Sequence, residues 1–229
     1  MIFFDFETFR YDWLLVTFNG KEFTRIENDR NKLLEYYEQH KSDLWVGYNC
    51  KGYDQYIMKA IILGINPKLV NDFIIRAHKP GWAFSDEFKN IEFNIYDCMV
   101  FGKSLKQLES YMGVNIHETD VPFDIDRPLT DEEKELNYKY CKDDVYNTAL
   151  VFNKSIEEFE ASLGLCKLAG EPLSSLAKTK AQLAAKILGA KRLPQAMLQE
   201  EWNFALVDTV ENYNYDHPEI IEWFRTVDN

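Results

Sequence analysis

Three short constellations of acidic and phenolic side chains carry the chemistry this sequence offers. The first is Phe4-Asp5-Phe6-Glu7-Thr8, close to the N-terminus. On a strand, residues two apart share a face, so Asp5 and Glu7 point one way while Phe4 and Phe6 point the other. Two carboxylates on an otherwise apolar strand are costly to bury unless cations neutralise them. The second is Asn49-Cys-Lys-Gly-Tyr53-Asp54, where an apolar strand hands over to a helix through Gly52. Asp54 falls in the first turn of that helix, a favoured place for negative charge. The third is Tyr140-Cys-Lys-Asp143-Asp144, with Tyr140 and Asp144 four apart on one face of a long helix. Each has a plainer reading by itself: a solvated edge strand, a helix-end charge, a surface tyrosine beside an acid. Together, Asp5, Glu7, Asp54 and Asp144 form a set of hard oxygen donors suited to divalent ions such as Mg²⁺ or Mn²⁺.

The elements that must position these groups follow from pattern. Residues 1–7 alternate as a strand, and 11–18 with 21–26 read as a hairpin around a tight Asn19-Gly20 turn. A helix is expected from Asn28 or Asn31 to about His40, a strand over 44–48, and a helix near 53–63 ended by Gly64 and Pro67. Residues 65–90 lack a clear period, and 91–97 alternate as a strand. A short helix begins at Lys103 or Ser104 and closes at Gly113. Thr130-x-x-Glu133 is a capping box opening a long helix, about 131–160. Gly164, Gly170 and Pro172 mark a linker before a second helix, 175–188. Early strands with interleaved helices predict an α/β fold with a mixed sheet.

Composition bounds the rest. The chain has 229 residues, 46% of them hydrophobic, and its 16 Phe, 13 Tyr and 5 Trp exclude general disorder. No apolar run approaches the roughly 18 residues needed to span a bilayer. The N-terminus lacks the basic and apolar regions of a signal peptide. Four scattered cysteines indicate neither a zinc knuckle nor a disulfide framework. A net charge of −12 argues against binding nucleic acid by bulk attraction, although residues 166–192 carry six basic groups against one acid. Residues 193–229 reverse this, with eight acids against one base.

The ordered triple of a strand Asp-x-Glu, an Asn-x-x-x-Tyr-Asp at a strand–helix junction and a helical Tyr-x-x-x-Asp resembles the three Exo motifs of the DEDD (DnaQ-like) 3′–5′ exonucleases. Tyr140, four residues before Asp144, matches the tyrosine subclass, DEDDy. The histidine subclass would need His where Lys139 stands. The resemblance covers about residues 1–160 and implies a ribonuclease H-like mixed sheet flanked by helices. The forms of the motifs, Thr8 after Asp-x-Glu and Asp120-Val-Pro-Phe-Asp-Ile-Asp-Arg-Pro128 look like proofreading domains of phage, family-B-like DNA polymerases. One departure stands out. Protein-primed phage polymerases carry a supporting lysine in that loop, where Glu118 falls here, leaving Lys103 or Lys106 as stand-ins. Residues 173–192 look like the stretch after the exonuclease in some of these polymerases. The resemblance implies an exonuclease domain at 1–160 and a helical extension at 161–229, either a connection toward a polymerase domain whose motifs are absent from this chain or part of a small stand-alone nuclease.

The resemblance implies a two-ion hydrolase that removes nucleoside 5′-monophosphates from a DNA 3′ end in the cytoplasm of a bacterial or phage-infected cell. Two divalent ions about 3.5–4 Å apart would activate water and stabilise the attacking and leaving oxygens. Asp5 would bridge both ions, Glu7 and Asp144 would complete one, and Asp54 would serve the other through water. Tyr140 would orient the attacking water. Thr8, Asn49, Tyr53 and Phe123 match positions that contact the terminal nucleotides of single-stranded DNA. The implied partners are a DNA 3′ end and a polymerase domain or subunit, with no membrane. Two rival readings remain: an RNA-directed relative resembling ribonuclease D, and a catalytically silent DnaQ-like scaffold.

Overall fold

The computed structural model describes residues 1–114 and 121–190. Its first compact unit spans Met1–Ile187; of the second, Leu188–Asn229, only the first three residues are described. Within the first unit a five-stranded sheet runs in the order β3-β2-β1-β4-β5. The strands are β1 (Ile2–Thr8), β2 (Trp13–Phe18), β3 (Phe23–Glu27), β4 (Trp45–Gly47) and β5 (Ile95–Asp97). β1 pairs antiparallel with β2 and parallel with β4, which makes the sheet mixed.

Strand alternation builds one core on each face of the sheet. Phe4 and Phe6 of β1 enter a core with Leu15, Trp45 and Ile57. There α1 (Arg30–His40) and α2 (Asp54–Leu63) cover the sheet, and Phe4 meets the Trp45 ring edge-on at 5.4 Å. The opposite face carries Phe3, Leu14, Val16 and Val46 against Cys141, Val145 and Phe152 of α5 (Asp131–Lys154). Asp5 and Glu7 share this second face. Burying each large apolar side chain is worth about 1.5–3 kcal/mol, so these two layers fix the orientation of β1.

Several sequence expectations meet local physics that shifts them. The hairpin closes through a four-residue loop, 19–22, because Phe18 pairs with Phe23. Asn19 accepts from the Lys21 and Glu22 N–H groups, and Gly20 takes a positive φ of 93°. The strand expected over 91–97 shortens to Ile95–Asp97, since its one neighbour among the described residues, β4, offers three residues. The long helix opens at the Thr130–Glu133 capping box but breaks at Ser155, where φ −108° and ψ 25° depart from helix. The Ser155 hydroxyl donates back to the Val151 carbonyl at 2.9 Å, which the Ser155 N–H also reaches at 3.1 Å. The chain resumes as α6 (Ile156–Leu168). The helix expected over 175–188 is a 3₁₀ turn, Leu173–Ala177, followed by α7 (Lys180–Ile187). The unpatterned 65–90 holds α3 (Pro67–Asn71), a π-helical turn at Asp72–Arg76 and two 3₁₀ turns. The short helix before the third motif is α4 (Leu105–Met112), capped reciprocally by Ser104 and Gln107. Among the described residues no helix is long and apolar enough to cross a membrane, and all four cysteines are free and buried.

Candidate active site

The β1–β4 ladder ends at Phe3–Val46, and beyond it the two strands separate. The gap is filled by the start of α2, where Asp54 Oδ1 accepts the Phe6 N–H at 3.1 Å. Asp54 thereby turns its carboxylate toward β1 from the first turn of a helix. The turn leading into α2 is held by Asp97, which accepts the Asn49 N–H at 2.9 Å, the Lys51 N–H at 3.0 Å and the Met99 N–H at 3.0 Å. Asn49 adopts a left-handed φ of 58°, which asparagine tolerates better than most residues. Gly47 is required just before it, since a Cβ there would lie 2.5 Å from Cys50 Cβ and 3.2 Å from the Phe4 carbonyl.

From the other side α5 packs across β1 and brings Tyr140, Cys141 and Asp144 to the face that carries Asp5 and Glu7. The Cys141 thiol donates to Asp5, 3.6 Å from Oδ2. Among the described residues, Asp5, Glu7 and Cys141 offer ligand atoms that all lie within 4.8 Å of one another. Burial pushes the Cys141 thiol well above its usual range, with the Asp5 charge adding to it, so the sulfur stays protonated and is a weak ligand. The donors suited to an ion are the carboxylate oxygens.

The charges of the four acids bear on one another. Asp5 is pushed up to about 7 by burial and then by the charge of Asp144. Glu7 is raised well above the carboxylate range by burial, then by Asp5, Asp144 and Asp54. Asp54 is raised by burial and by Asp5. Asp144 is also raised by burial, though Lys106 opposes the shift. Tyr140 is pushed upward by burial and by Asp144, so its phenol holds its proton at neutral pH. A cluster that resists ionisation when bare and consists of hard oxygens fits divalent cations, whose charge would reverse these shifts.

The four residues expected to touch substrate are also brought together. Thr8, Asn49, Tyr53 and Phe123 line a cavity of about 440 Å³ that has Glu7 in its wall. Tyr53 donates to Asn71 Oδ1 at 2.8 Å, and Phe123, half-exposed, stacks on Phe9 at 5.4 Å. Lys68, Asn71 and Arg76 complete the cavity from α3 and the π turn, and nothing in their sequence pattern marks them. A larger cavity of about 500 Å³ lies beside β5 and includes none of the four carboxylates.

Lys106 of α4 reaches the cluster. Its ammonium bonds to Asp144 Oδ1 and lies 4.6 Å from the centre of the Tyr140 ring. Lys103 lies instead over Tyr111, at 4.8 Å. Glu118 falls outside the described residues, as do Lys191, Arg192 and the acidic stretch 193–229. Three of the four described lysines of the basic stretch are paired: Lys178 and Lys186 with Glu171, Lys180 with Glu158. Asp143 is exposed, away from the cluster.

No family model matches this chain, and no curated protein matches it either. Among solved structures it is similar to the family B DNA polymerase of the hyperthermophilic archaeon Pyrobaculum calidifontis, with a TM-score of 0.52 and 17% sequence identity. The match covers 82% of this chain and 28% of that one, so the chain spans little more than a quarter of the polymerase's length. At this identity the likeness shows the fold: a helix-flanked mixed sheet of the ribonuclease H-like kind.

Proposed function

We propose that this chain is a metal-dependent 3′–5′ exonuclease of the DEDDy type that acts on DNA, as the proofreading partner of a phage-type DNA polymerase. The observation that carries this reading is the meeting of Asp5, Glu7, Asp54 and Asp144 beside Tyr140, drawn from one strand and two helices far apart in sequence. The likeness to a segment of a family B DNA polymerase supports DNA over RNA as the substrate.

In this reading Asp5, Glu7, Asp54 and Asp144 hold two divalent ions. When bound, these supply a nucleophilic water at neutral pH and neutralise charge at the scissile phosphate. The chain's own residues do the rest. Tyr140 keeps its proton, so it donates a hydrogen bond and orients water rather than acting as a base. The 440 Å³ cavity accepts the terminal nucleotide, with Phe123 offering a stacking face and Asn49 and Tyr53 polar contacts. Water adds to phosphorus and gives up a proton to solvent, the bond from phosphorus to the 3′ oxygen of the preceding nucleotide breaks, that oxygen takes up a proton from solvent as the new 3′ hydroxyl, and a nucleoside 5′-monophosphate leaves.

The test incubates 5′-labelled single-stranded DNA with the protein in Mg²⁺, in Mn²⁺ and in EDTA, beside Asp5→Ala and a matching RNA strand. A ladder descending from the 3′ end, absent with EDTA and with Asp5→Ala, is the expected result. Equal or faster loss of the RNA would favour the ribonuclease D-like reading. A folded protein that binds DNA without shortening it would leave the silent scaffold.

A further inference from the structure

The third motif accounts for Tyr140 and Asp144 but not for a fifth carboxylate beside them. Glu109 of α4 is completely buried. Its Oε1 accepts from Asn147 Nδ2 at 2.8 Å, while its Oε2 accepts no hydrogen bond. That second oxygen lies 3.5 Å from Lys106 Nζ, whose own hydrogen bond goes to Asp144. Lys106 and Glu109 are three apart and share a face of α4, and Asp144 and Asn147 share a face of α5 in the same way. One ammonium therefore stands between a carboxylate of the cluster and a carboxylate behind it. A buried carboxylate with an oxygen lacking a hydrogen bond is costly unless a cation compensates it. As a purely structural partner of Lys106, Glu109 would be expected to take the ammonium's best hydrogen bond. It does not.

We infer that Glu109 is a positioning residue: it holds Lys106 as an internal counter-ion on Asp144, and receives the ammonium when a divalent cation takes Asp144. Its role presupposes that the cluster holds divalent ions, as proposed above. Without metal, Lys106 offsets part of the repulsion among the acids and keeps Asp144 turned toward the site. With metal, Lys106 is repelled from Asp144, and Glu109 Oε2, already 3.5 Å away, provides a charged acceptor that solvent cannot reach. Exchange of one cation for another then leaves no buried charge unpaired on either side.

The direct test is a pair of crystal structures of the wild-type protein, grown with EDTA and with Mg²⁺. With Mg²⁺ bound at the cluster, Lys106 Nζ should lie within about 3.2 Å of Glu109 Oε2 and should have left Asp144. Lys106 still on Asp144, or turned into solvent, overturns the inference. Calorimetric titration with Mn²⁺ supplies a second readout. Glu109→Gln should weaken Mn²⁺ binding by roughly tenfold, the usual cost of losing an outer partner of a ligand. Glu109→Asp keeps the charge but shortens its reach, and should lose most of the same affinity. Wild-type affinity in Glu109→Asp would mean that only the field matters, and would overturn the role of the contact, as would no change in Glu109→Gln. Wild-type protein that binds no Mn²⁺, or binding that survives Asp5→Asn, would instead remove the metal-site reading itself.

Discussion

The carboxylate cluster makes the metal-free protein respond to pH in an unusual direction. Asp5 moves from an ordinary value of 3.8 to about 7 in the folded state. Between these values the folded chain keeps a proton that the unfolded chain has lost. Stability contributed by this group is therefore complete below about 3.8 and declines as pH rises toward 7. At about 1.4 kcal/mol per pH unit, the decline amounts to about 4 kcal/mol, a large share of a typical domain's stability. Glu133 and Glu171, each held at about 2 by cationic partners, act oppositely, but they titrate below this window. Urea unfolding of EDTA-treated protein, followed by tryptophan fluorescence from pH 4.5 to 8, should show the midpoint falling with pH. Asp5→Asn should make the curve shallower, the remaining slope coming from the buried Glu7 and Asp54, and should be the more stable protein at pH 8. Adding Mn²⁺ should reverse the slope for wild type alone, because ligands bind metal deprotonated and binding stabilises the folded state. A midpoint that is level or rises with pH in EDTA, with Asp5→Asn running parallel to wild type, would refute the burial of mutually repelling acids on which the site is built.

Other perturbations reach the remaining parts. Tyr140→Phe should lower the single-turnover rate roughly a hundredfold with little change in DNA affinity, as expected for a water-orienting donor. Phe123→Ala should weaken binding of a single-stranded 3′ end by about 1–3 kcal/mol in a fluorescence anisotropy titration, the range for one stacked base. Asp97→Ala removes the acceptor of three N–H groups around Asn49. It should cost about 2 kcal/mol in urea unfolding and raise KM for DNA through the displaced turn. Gly47→Ala forces a Cβ against Cys50 and the Phe4 carbonyl and should cost about 1–3 kcal/mol by the same measurement.

What the sequence revealed, and what it concealed, follows from the reach of local periodicity. Asp5 with Glu7, and Tyr140 with Asp144, lie within one element each, so the strand and helix periods alone put each pair on a common face. The alternation of β1 likewise separated Phe4 and Phe6, both buried in the core, from the acids. Boundaries fared worse where a neighbour decides them: β5 is cut to three residues by the length of β4, and the long helix breaks at Ser155, whose hydroxyl bonds back to the preceding turn. Asp97 ends a strand, and its carboxylate binds backbone N–H groups, the capping behaviour its position suggests. Lys106 was visible as a stand-in for a lysine missing from the loop, yet sequence gave no means to choose it over Lys103. The choice depends on the packing of α4 against α5, which directs Lys106 to Asp144 and Lys103 to Tyr111. Glu109 was hidden for the same reason. A lone acid on an amphipathic helix reads as solvent-facing, and only the contact between two helices shows that this one is sealed behind the cluster. Ligands within one element can thus be read from its period, whereas the groups that balance their charge come from other elements and need the tertiary structure.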